Sequence, residues 1–293
     1  YTERTMMTQA DRLTSQNFAQ KQAETLAALK YNNPFLSPTT SESILLGSGA
    51  WGHFGTKGDD VLVGTDTTDF MFGHAGRDNI SGGKGNDFIY PGDGGFGDGG
   101  EGIDTLVFER TLSSYRVVPE FTTATGNVIS LSVVTKMPLP LEVSVFGSIE
   151  RIKFTDISLA LDIKPTENAG SVYMLYKAAF NRPSDAGGMG YWIAQKDGGA
   201  NIVTSIAQGF VNSAEFIAKY GANPSNSSYV NNLYQNVLGR AGEAGGVAYW
   251  TGEMDAGRVS KAQALVSFAT LPEGAGIVAP LIANGIEYRE WLG

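Results

Sequence analysis

Gly55-Thr56-Lys57-Gly58-Asp59-Asp60-Val61-Leu62-Val63 opens a series of nine-residue units that runs to Tyr90 and resumes at residues 99–107. Aspartate occupies the sixth position of the units, as Asp60, Asp69, Asp78, Asp87 and Asp104. A large apolar residue occupies the eighth position, as Leu62, Met71, Ile80, Ile89 and Leu106. A flexible Gly/Asp-rich linker would not hold two residue types at fixed offsets. The stretch is therefore predicted to be a folded repeat.

Each unit divides into six residues of turn and three of strand. Side chains alternate along a strand, so the middle strand residue, at position eight, is expected to point inward. Glycine at positions one, two and four suits a turn that needs positive φ or close backbone approach. Two units make one coil, and turns two units apart then stack about 4.8 Å from each other. Asp60 is therefore expected to lie over Asp78, and Asp69 over Asp87.

The stacked carboxylates predict a bound cation. Two carboxylates about 5 Å apart repel by roughly 3 kcal/mol at an effective dielectric near 20, and one apolar side chain per unit offsets little of that. Calcium takes about six to eight oxygen ligands from carboxylates and backbone carbonyls, and glycine-rich turns expose their carbonyls. We therefore expect several Ca²⁺ ions between the turns, and a stretch that is disordered or expanded without them.

The consensus Gly-Gly-x-Gly-x-Asp-x-apolar-x resembles the RTX (hemolysin-type) calcium-binding repeat, which implies a parallel β-roll. The predicted metal ligands are turn glycines and aspartates: Gly58, Asp60, Asp69, Gly73, Gly76, Asp78, Gly82, Gly85, Asp87, Asp93, Asp98, Gly102 and Asp104. Departures from the consensus bear on individual sites. The turn at residues 64–69 lacks glycine at positions two and four. Between Pro91 and Asp98 the register is lost, Phe96 stands near the sixth position, and Asp93 or Asp98 would replace the aspartate.

The composition restricts the class of partner. The 293-residue chain has a net charge of −9, and residues 55–107 hold ten acidic residues against three basic ones. An acidic chain without a basic stripe argues against nucleic-acid binding. The absence of cysteine fits a secreted protein that calcium stabilises instead of disulfides. No apolar run approaches the roughly 18 residues of a membrane span, and a chain that begins at Tyr1 is expected to be processed, trimmed or partial.

Residues 1–33 are predicted to form an N-terminal helix, because Pro34 follows a run of apolar residues at roughly helical spacing: Met6, Ala10, Leu13, Ala19, Ala23, Leu26 and Leu29. The helix either packs on its own protein or meets a neighbouring subunit as an assembly or linker helix. The next domain, residues 34–163, is predicted to contain a Ser/Thr/Gly/Pro-rich connector up to Gly52, then the roll and a β cap.

The cap is predicted from β-branched and aromatic runs that follow the roll. These runs lie at residues 108, 115–118, 128–134, 141–146 and 149–156, with turns at Gly126-Asn127 and Pro138–Pro140. Their order resembles the β cap that follows RTX rolls in secreted bacterial proteins. Such a cap covers the open edge of the last coil.

Residues 164–293 are predicted to be an all-α domain with an internal duplication, because residues 58 positions apart match: Leu175-Tyr176 with Leu233-Tyr234, Arg182 with Arg240, Asp185 with Glu243, Tyr191-Trp192 with Tyr249-Trp250, and Glu215 with Glu273. The pattern resembles a helical domain of secreted bacterial RTX proteins that is known only as a domain of unknown function. Each copy is expected to hold a helix such as Val172–Phe180, a Gly-broken loop, a helix opened by Tyr-Trp and a further helix, at residues 202–220 in the first copy. Each arginine is expected to pair with the acid three residues later, and each Tyr-Trp pair to pack in the core, unless its Trp face stacks on a sugar ring.

No catalytic motif is visible, and we expect no enzyme. His53 and His74 are the two histidines, no cysteine is present to form a Cys/His pair, and neither H-E-x-x-H nor G-x-S-x-G occurs. The fold class is predicted to be α+β and multi-domain, with an N-terminal helix, a parallel β-roll with a β cap, and a C-terminal all-α duplicated domain.

The RTX resemblance implies type I secretion from a bacterium and folding outside the cell. The favoured function is a non-enzymatic extracellular or cell-surface subunit of a surface layer, sheath, filament or adhesion structure. Its partners would be copies of itself, other surface proteins or glycans. Two alternatives are the secretion and folding region of an exported hydrolase, and a carbohydrate-binding module that uses Trp192 and Trp250.

Overall fold

The computed structural model describes residues 9–32, 40–46, 49–121, 128–136 and 142–291. The chain divides into two compact units, one within residues 1–161 and one within Asp162–Trp291. Several sequence predictions lie outside the described residues: Met6, the connector residues 33–39, the turns at Gly126-Asn127 and Pro138–Pro140, and Leu141.

The first unit is a helix followed by β structure. Helix α1 spans Gln9–Asn32. The strands that follow are β1 (Glu42–Leu45), β2 (Trp51–Phe54), β3 (Val61–Val63), β4 (Asp69–Phe72), β5 (Asp78–Lys84), β6 (Phe88–Tyr90), β7 (Gly94–Glu101), β8 (Thr105–Val107), β9 (Tyr115–Phe121), β10 (Val128–Thr135), β11 (Val143–Gly147), β12 (Arg151–Lys153) and β13 (Ser158–Ala160).

Residues 51–107, which we call the coil region, alternate between two parallel sheets. Strands β2, β4, β6 and β8 pair in one sheet, and β3, β5 and β7 pair in the other. Leu62 lies opposite Ile80, and Met71 lies opposite Ile89, so these partners are two units apart. The eighth-position side chains are buried in one shared core, which confirms their predicted inward orientation: Leu62, Met71, Ile80, Ile89 and Leu106.

The unit at Pro91–Asp98 keeps its place in the coil region but is one residue shorter. Asp78 lies opposite Gly95, and Ile80 lies opposite Gly97. Gly95 therefore holds the sixth position and Gly97 the eighth. The prediction that Asp93 or Asp98 replaces the sixth-position aspartate is wrong, because the turn before Gly95 has lost a residue and Asp98 falls at the ninth position.

Residues 143–153 extend both sheets by one more coil. Strand β11 pairs in parallel with β7, and β12 pairs in parallel with β8. Strands β10 and β9 continue from β11 as an antiparallel meander, and β13 pairs antiparallel with β12. These strands satisfy the backbone edges that β7 and β8 would otherwise expose, which is the role expected of a cap.

The predicted connector before the coil region contains a hairpin. Strand β1 pairs antiparallel with β2, and Ser43 lies opposite His53. The Ser/Thr/Gly-rich composition predicted irregular structure. Instead, the backbone of β1 pairs with β2, which is the first strand of the parallel sheet. This hairpin places the His53 side chain next to Asp69.

Helix α1 packs on the outer face of the first sheet. Small residues one helical turn apart are buried against aromatic rings: Ala19, Ala23 and Ala27 against Phe54, Phe70 and Phe72. The aromatic rings stack along the sheet, with 4.3 Å between the centroids of Phe72 and Tyr90. Tyr90 Oη donates to Glu24 Oε1 at 2.7 Å. The helix therefore packs on its own chain, as the first of the two readings expected.

The second unit contains two similar groups of helices. They are α2 (Asn168–Phe180), α3 (Ala186–Asp197), a π-helical segment (Ile202–Ala207) that runs into α4 (Gln208–Val211), α5 (Ala214–Tyr220), α6 (Asn226–Leu233), a second π-helical segment (Tyr234–Leu238), α7 (Ala244–Asp255), α8 (Lys261–Ala269) and α9 (Pro272–Val278). A short strand, β14 (Ile286–Tyr288), follows. No single helix in the described ranges is long and apolar enough to cross a bilayer, although the bent pair Lys261–Ala269 and Pro272–Leu281 together reach that length and composition.

Three features of the second unit differ from the prediction. Helix α3 begins at Ala186, before the Tyr-Trp pair, because Asp185 caps it by accepting from Gly188 N at 2.7 Å. The helix predicted at residues 202–220 breaks near Ser213, whose side chain caps α5. The presence of β14 means that the unit is not all-α.

Candidate metal centre

The sixth-position aspartates form two ladders that are joined by backbone hydrogen bonds. In the first ladder, Asp60 N donates to Asp78 Oδ1 at 3.0 Å. In the second, Asp69 N donates to Asp87 Oδ1, and Asp87 N to Asp104 Oδ1, both at 2.9 Å. Each aspartate therefore lies over the one two units later, as the spacing predicted. All of them except Asp60 are fully buried.

One oxygen of each later aspartate has no hydrogen-bond partner. The Oδ2 atoms of Asp78, Asp87 and Asp104 are buried and accept no bond from any described residue. Leaving a buried carboxylate oxygen unsatisfied costs on the order of several kcal/mol. These three oxygens are therefore the strongest structural indication of a cation site.

Burial raises the pKa of these three carboxyl groups. The pKa of Asp87 rises to about 8, that of Asp78 to about 7 and that of Asp104 to about 6. Burial is the main cause, the charges of neighbouring aspartates add to it, and the backbone N–H donors oppose it. Ionising all three at neutral pH without a cation would cost the fold on the order of 10 kcal/mol, which equals the stability of a typical domain.

First-position glycines bring the backbone against these carboxylates. A Cβ at Gly73, Gly82 or Gly99 would lie less than 3.0 Å from the Oδ2 atom of its own unit's aspartate. At Gly82 the Cβ would also meet the carbonyl oxygen of Gly99, and at Gly99 that of Ser148. The turns therefore hold backbone carbonyl and carboxylate oxygens so close to the first position that only glycine fits there.

Calcium fits this set of donors, because it is a hard cation that prefers carboxylate and carbonyl oxygens. In the part of the chain that the structure describes, no group of three or more Asp, Glu or His side chains could hold a metal by itself. Backbone carbonyls of the turns would therefore complete the coordination. Asp78, Asp87 and Asp104 would hold the ions, and the bound charge would let these carboxylates stay ionised inside the fold.

Four of the other predicted ligands are glycines at the fourth position of a turn. Gly76, Gly85 and Gly102 have φ of +116°, +121° and +147°, a region that glycine tolerates best, as expected at position four. Gly58 holds the same position in the first turn without a positive φ.

Asp93 and Asp98 lie outside the ladders, and both are exposed. Asp98 Oδ2 accepts a hydrogen bond from Ser148 Oγ at 3.2 Å. Asp93 N donates to the carbonyl oxygen of His74 at 2.9 Å, and the charge of Asp93 contributes to the raised pKa of Asp78. Neither residue takes the place of a sixth-position aspartate.

Residues outside the repeat close both ends of the second ladder. His53 Nε2 lies 3.0 Å from Asp69 Oδ1, and Ser43 Oγ lies 2.8 Å from His53 Nδ1. At the other end, Asp104 N donates to Glu150 Oε2 at 2.9 Å. Sequence reasoning missed these roles, because they depend on the register of the β1–β2 hairpin and on the cap's extra coil.

In the second unit, Arg182 and Arg240 each bind two acidic side chains. Arg182 Nη2 lies 3.5 Å from Asp185 Oδ2, and its Nε and Nη2 donate to the two carboxylate oxygens of Glu215 at 2.7 Å. Arg240 pairs in the same way with the acid three residues later and with Glu273. The predicted pairs are confirmed. The second pairing of each arginine, with Glu215 or Glu273, was not predicted, although these two glutamates also match at the offset of 58.

Each Tyr-Trp pair is split between core and surface. The half-buried tryptophan packs on a core phenylalanine, with centroid distances of 5.2 Å for Trp192 on Phe210 and 5.3 Å for Trp250 on Phe268. The tyrosines are exposed, Tyr191 by 37% and Tyr249 by 61%. The tryptophans therefore pack as predicted, and the tyrosines do not.

Two family models match the chain. The model of the RTX calcium-binding nonapeptide repeat (4 copies) matches residues 54–89, over the aspartate turns. The model of the domain of unknown function DUF4214 matches twice, at residues 163–216 and 207–276, over the duplicated helices. No curated protein matches the chain at a significant level.

Solved structures match parts of the chain at low overall similarity. The extracellular lipase LipA from Serratia marcescens is 15% identical, with a TM-score of 0.22 over 36% of this chain and 16% of the lipase. The AlgE6R3 subunit of the Azotobacter vinelandii mannuronan C5-epimerase is 20% identical, with a TM-score of 0.23 over 34% of this chain and 81% of that subunit. The chain therefore matches less than one fifth of the lipase.

Proposed function

Because the chain contains RTX calcium-binding nonapeptide repeats followed by two copies of DUF4214, we propose that it is an exported, calcium-dependent structural or cell-surface protein without an active site of its own. Subunits of surface layers, sheaths, filaments and adhesion structures belong to this class. The coil region folds when the chain reaches a calcium-rich medium. The proposal joins a calcium-dependent fold to an assembly role.

The observation that carries the calcium dependence is the set of buried, unpartnered Oδ2 atoms on Asp78, Asp87 and Asp104. A fold that must bury three such oxygens is unstable until a cation binds. Extracellular calcium modules typically bind at about 10⁻⁴ to 10⁻³ M, so the cytosol would leave this region unfolded and the outside medium would fold it. This behaviour suits a chain that is exported before it folds.

The assembly role is supported by the outer face of the second sheet. This face carries two groups of apolar side chains that are 38–67% exposed, with Asn79 and Ser81 of β5 between them: Val61 and Val63 on β3, and Phe96, Val143 and Val145 on β7 and β11. The outer face of the first sheet, by contrast, is covered by α1. Exposed apolar patches of this kind often mark association surfaces. A second copy of the chain is the partner that the proposed self-assembly requires.

Calcium-induced assembly of the purified chain tests the proposal. Light scattering and electron microscopy are expected to show sheets or fibres after calcium is added to protein in EDTA. The double variant Val61→Ser/Phe96→Ser is expected to bind calcium but to assemble less. Ile277→Ser, which changes a residue of the second unit that is 44% exposed, serves as the matched control. A chain that stays monomeric with saturating calcium would contradict the assembly role.

The alternative functions make separate predictions. A secretion region of an exported hydrolase predicts a longer polypeptide with a catalytic domain, so a mass near 31.1 kDa for the protein recovered from the medium would argue against it. A carbohydrate-binding module needs an open aromatic platform. The packing of Trp192 and Trp250 on core phenylalanines does not favour that alternative.

A further inference from the structure

The aspartate turns are of two kinds. Open turns have positive φ at positions two and four. These positions are His74 and Gly76 in the turn of Asp78, Gly83 and Gly85 in the turn of Asp87, and Gly100 and Gly102 in the turn of Asp104. Threonine turns have Thr56 or Thr65 at position two, and neither position two nor position four has positive φ. All three unpartnered carboxylate oxygens belong to open turns, on Asp78, Asp87 and Asp104.

In a threonine turn, the turn itself satisfies the carboxylate. Thr65 N donates to Asp69 Oδ2 at 2.6 Å, and Thr65 Oγ1 donates to the same oxygen at 3.1 Å. Thr56 makes the same two bonds to Asp60 Oδ2, at 2.6 and 2.9 Å. Two donors on one oxygen stabilise the ionised carboxylate, so this oxygen does not need a cation.

The threonine hydroxyl is fixed in this role by a third contact. Its oxygen accepts the N–H at position four, from Gly58 at 3.1 Å in the first turn and from Thr67 at 3.2 Å in the second. The hydroxyl keeps its proton for the carboxylate, and in the second turn Thr67 Oγ1, 3.0 Å from Thr65 Oγ1, can in turn donate to the Thr65 hydroxyl. A cation that bound Asp60 or Asp69 through Oδ2 would have to displace both the hydroxyl and the amide, and would leave those donors without their acceptor.

Asp69 is satisfied at its other oxygen as well. Oδ1 lies 3.0 Å from His53 Nε2, and His53 Nδ1 lies 2.8 Å from Ser43 Oγ. With the proton on Nε2, the ring donates to Asp69 and accepts from the serine hydroxyl. Both oxygens of Asp69 then have donors from the chain itself.

We propose that Thr56 and Thr65 close the first two turns without a cation, so that calcium binds only at the three open turns, through Asp78, Asp87 and Asp104. This inference rests on the proposed calcium-dependent function. It removes Asp60 and Asp69 from the ligands that the repeat pattern predicts. Helix α1, the β1–β2 hairpin and the threonine turns then form a calcium-independent start on which the open turns stack once calcium is present.

Calcium stoichiometry of the full chain, measured by isothermal titration calorimetry, tests the proposal. Each of Asp78→Asn, Asp87→Asn and Asp104→Asn is expected to remove one ion or to weaken one site at least about tenfold. Asp60→Asn and Asp69→Asn are expected to keep the number of ions, with affinities within about twofold of the wild-type values. Asp66→Asn, at an exposed aspartate of the second turn, is the matched control.

The outcomes separate the proposal from its premise. Loss of an ion in Asp60→Asn or Asp69→Asn overturns the closure by threonine. A wild-type chain that binds no calcium overturns the proposed function itself.

Hydrogen exchange on the wild-type chain needs no variant and provides a second test. In EDTA, the amides of Thr56 and Thr65 are expected to stay protected, whereas the amide of Asp87 exchanges until calcium is added. Equal loss of protection at all three amides in EDTA would overturn the proposal.

Discussion

Asp87 Oδ1 accepts a hydrogen bond from Asp69 N at 2.9 Å, while Asp87 Oδ2 is buried without a partner. One carboxylate therefore both joins neighbouring coils and offers an oxygen to a cation. Its position could be predicted, because the nine-residue period fixes the sixth residue on the turn. Which oxygens are left unpartnered could not, because that depends on φ at position two and on the hydroxyl of Thr56 or Thr65.

The raised pKa values of Asp78, Asp87 and Asp104 predict an inverted pH dependence in EDTA. Their folded-state pKa values, about 7, 8 and 6, lie above the usual value near 3.8. The metal-free fold is therefore most stable below the usual value near 3.8, and this stability is lost as pH rises from there through the folded-state values of about 6 to 8. Calcium affinity should rise over the same range, because binding releases the protons.

Thermal melts of the coil region's β signal between pH 5 and pH 8 check this prediction. In EDTA, the β signal is expected to be strongest and to melt highest near pH 5 and to be mostly lost by pH 8, and the stabilisation by saturating calcium is expected to grow over the same range. A melting temperature in EDTA that rises with pH would contradict the burial of ionisable carboxyls in the metal-free fold.

At the scale of elements, the spacing of apolar residues in α1 predicts the helix but not the surface on which it packs. The spacing of Ala19, Ala23 and Ala27 predicts a helix face, and these residues are buried against aromatic rings of the first sheet. The rings stand at the outward positions beside the eighth residue, as in Phe70 and Phe72. That aromatic pattern was a visible signal for a covering helix. The hairpin β1–β2 had no such signal, because its composition is that of a loop.

A charge placed on the buried face of α1 should separate packing from helix propensity. Ala23→Glu puts a carboxylate among the aromatic rings and is expected to destabilise the first unit by about 2–4 kcal/mol. Ala28→Glu makes the same change on the exposed face and is expected to change stability by less than about 0.5 kcal/mol. Chemical denaturation in saturating calcium, followed by tryptophan fluorescence, measures both. Equal effects of the two variants would show that the helix does not pack as described.

The short unit at Pro91–Asp98 limits what the repeat pattern could predict. Loss of one residue leaves several registers open in the sequence, and only the pairing of Asp78 with Gly95 selects one. The duplication in the second unit was predictable from its many matches at one offset. The pairing of Arg182 with Glu215 was not identified, because the two residues are 33 positions apart in the chain.

At the scale of the whole molecule, the two units are expected to differ in their dependence on calcium. The coil region carries ten acidic residues against three basic ones and the three unpartnered carboxylate oxygens. The second unit is instead built on apolar helix packing, with Tyr229, Leu233, Leu265 and Phe268 fully buried. Removing calcium should therefore unfold much of the coil region and leave most of the helices.

Far-UV circular dichroism in EDTA and after addition of calcium measures this difference. Chelation is expected to abolish most of the β signal of residues 55–107 while the helical signal of the second unit persists, and calcium should restore the β signal. Magnesium is the control, because it demands a smaller, octahedral site and gives up its water reluctantly. Identical spectra in EDTA and in calcium would contradict the expected difference between the units.

Anomalous diffraction from a crystal of the calcium-loaded protein is the most direct measurement of whether a divalent cation closes the aspartate ladders. Peaks are expected about 2.3–2.6 Å from the Oδ2 atoms of Asp78, Asp87 and Asp104. Ladders that are well ordered in saturating calcium but show no such peaks would mean that packing alone closes the turns, and would contradict the calcium-dependent fold.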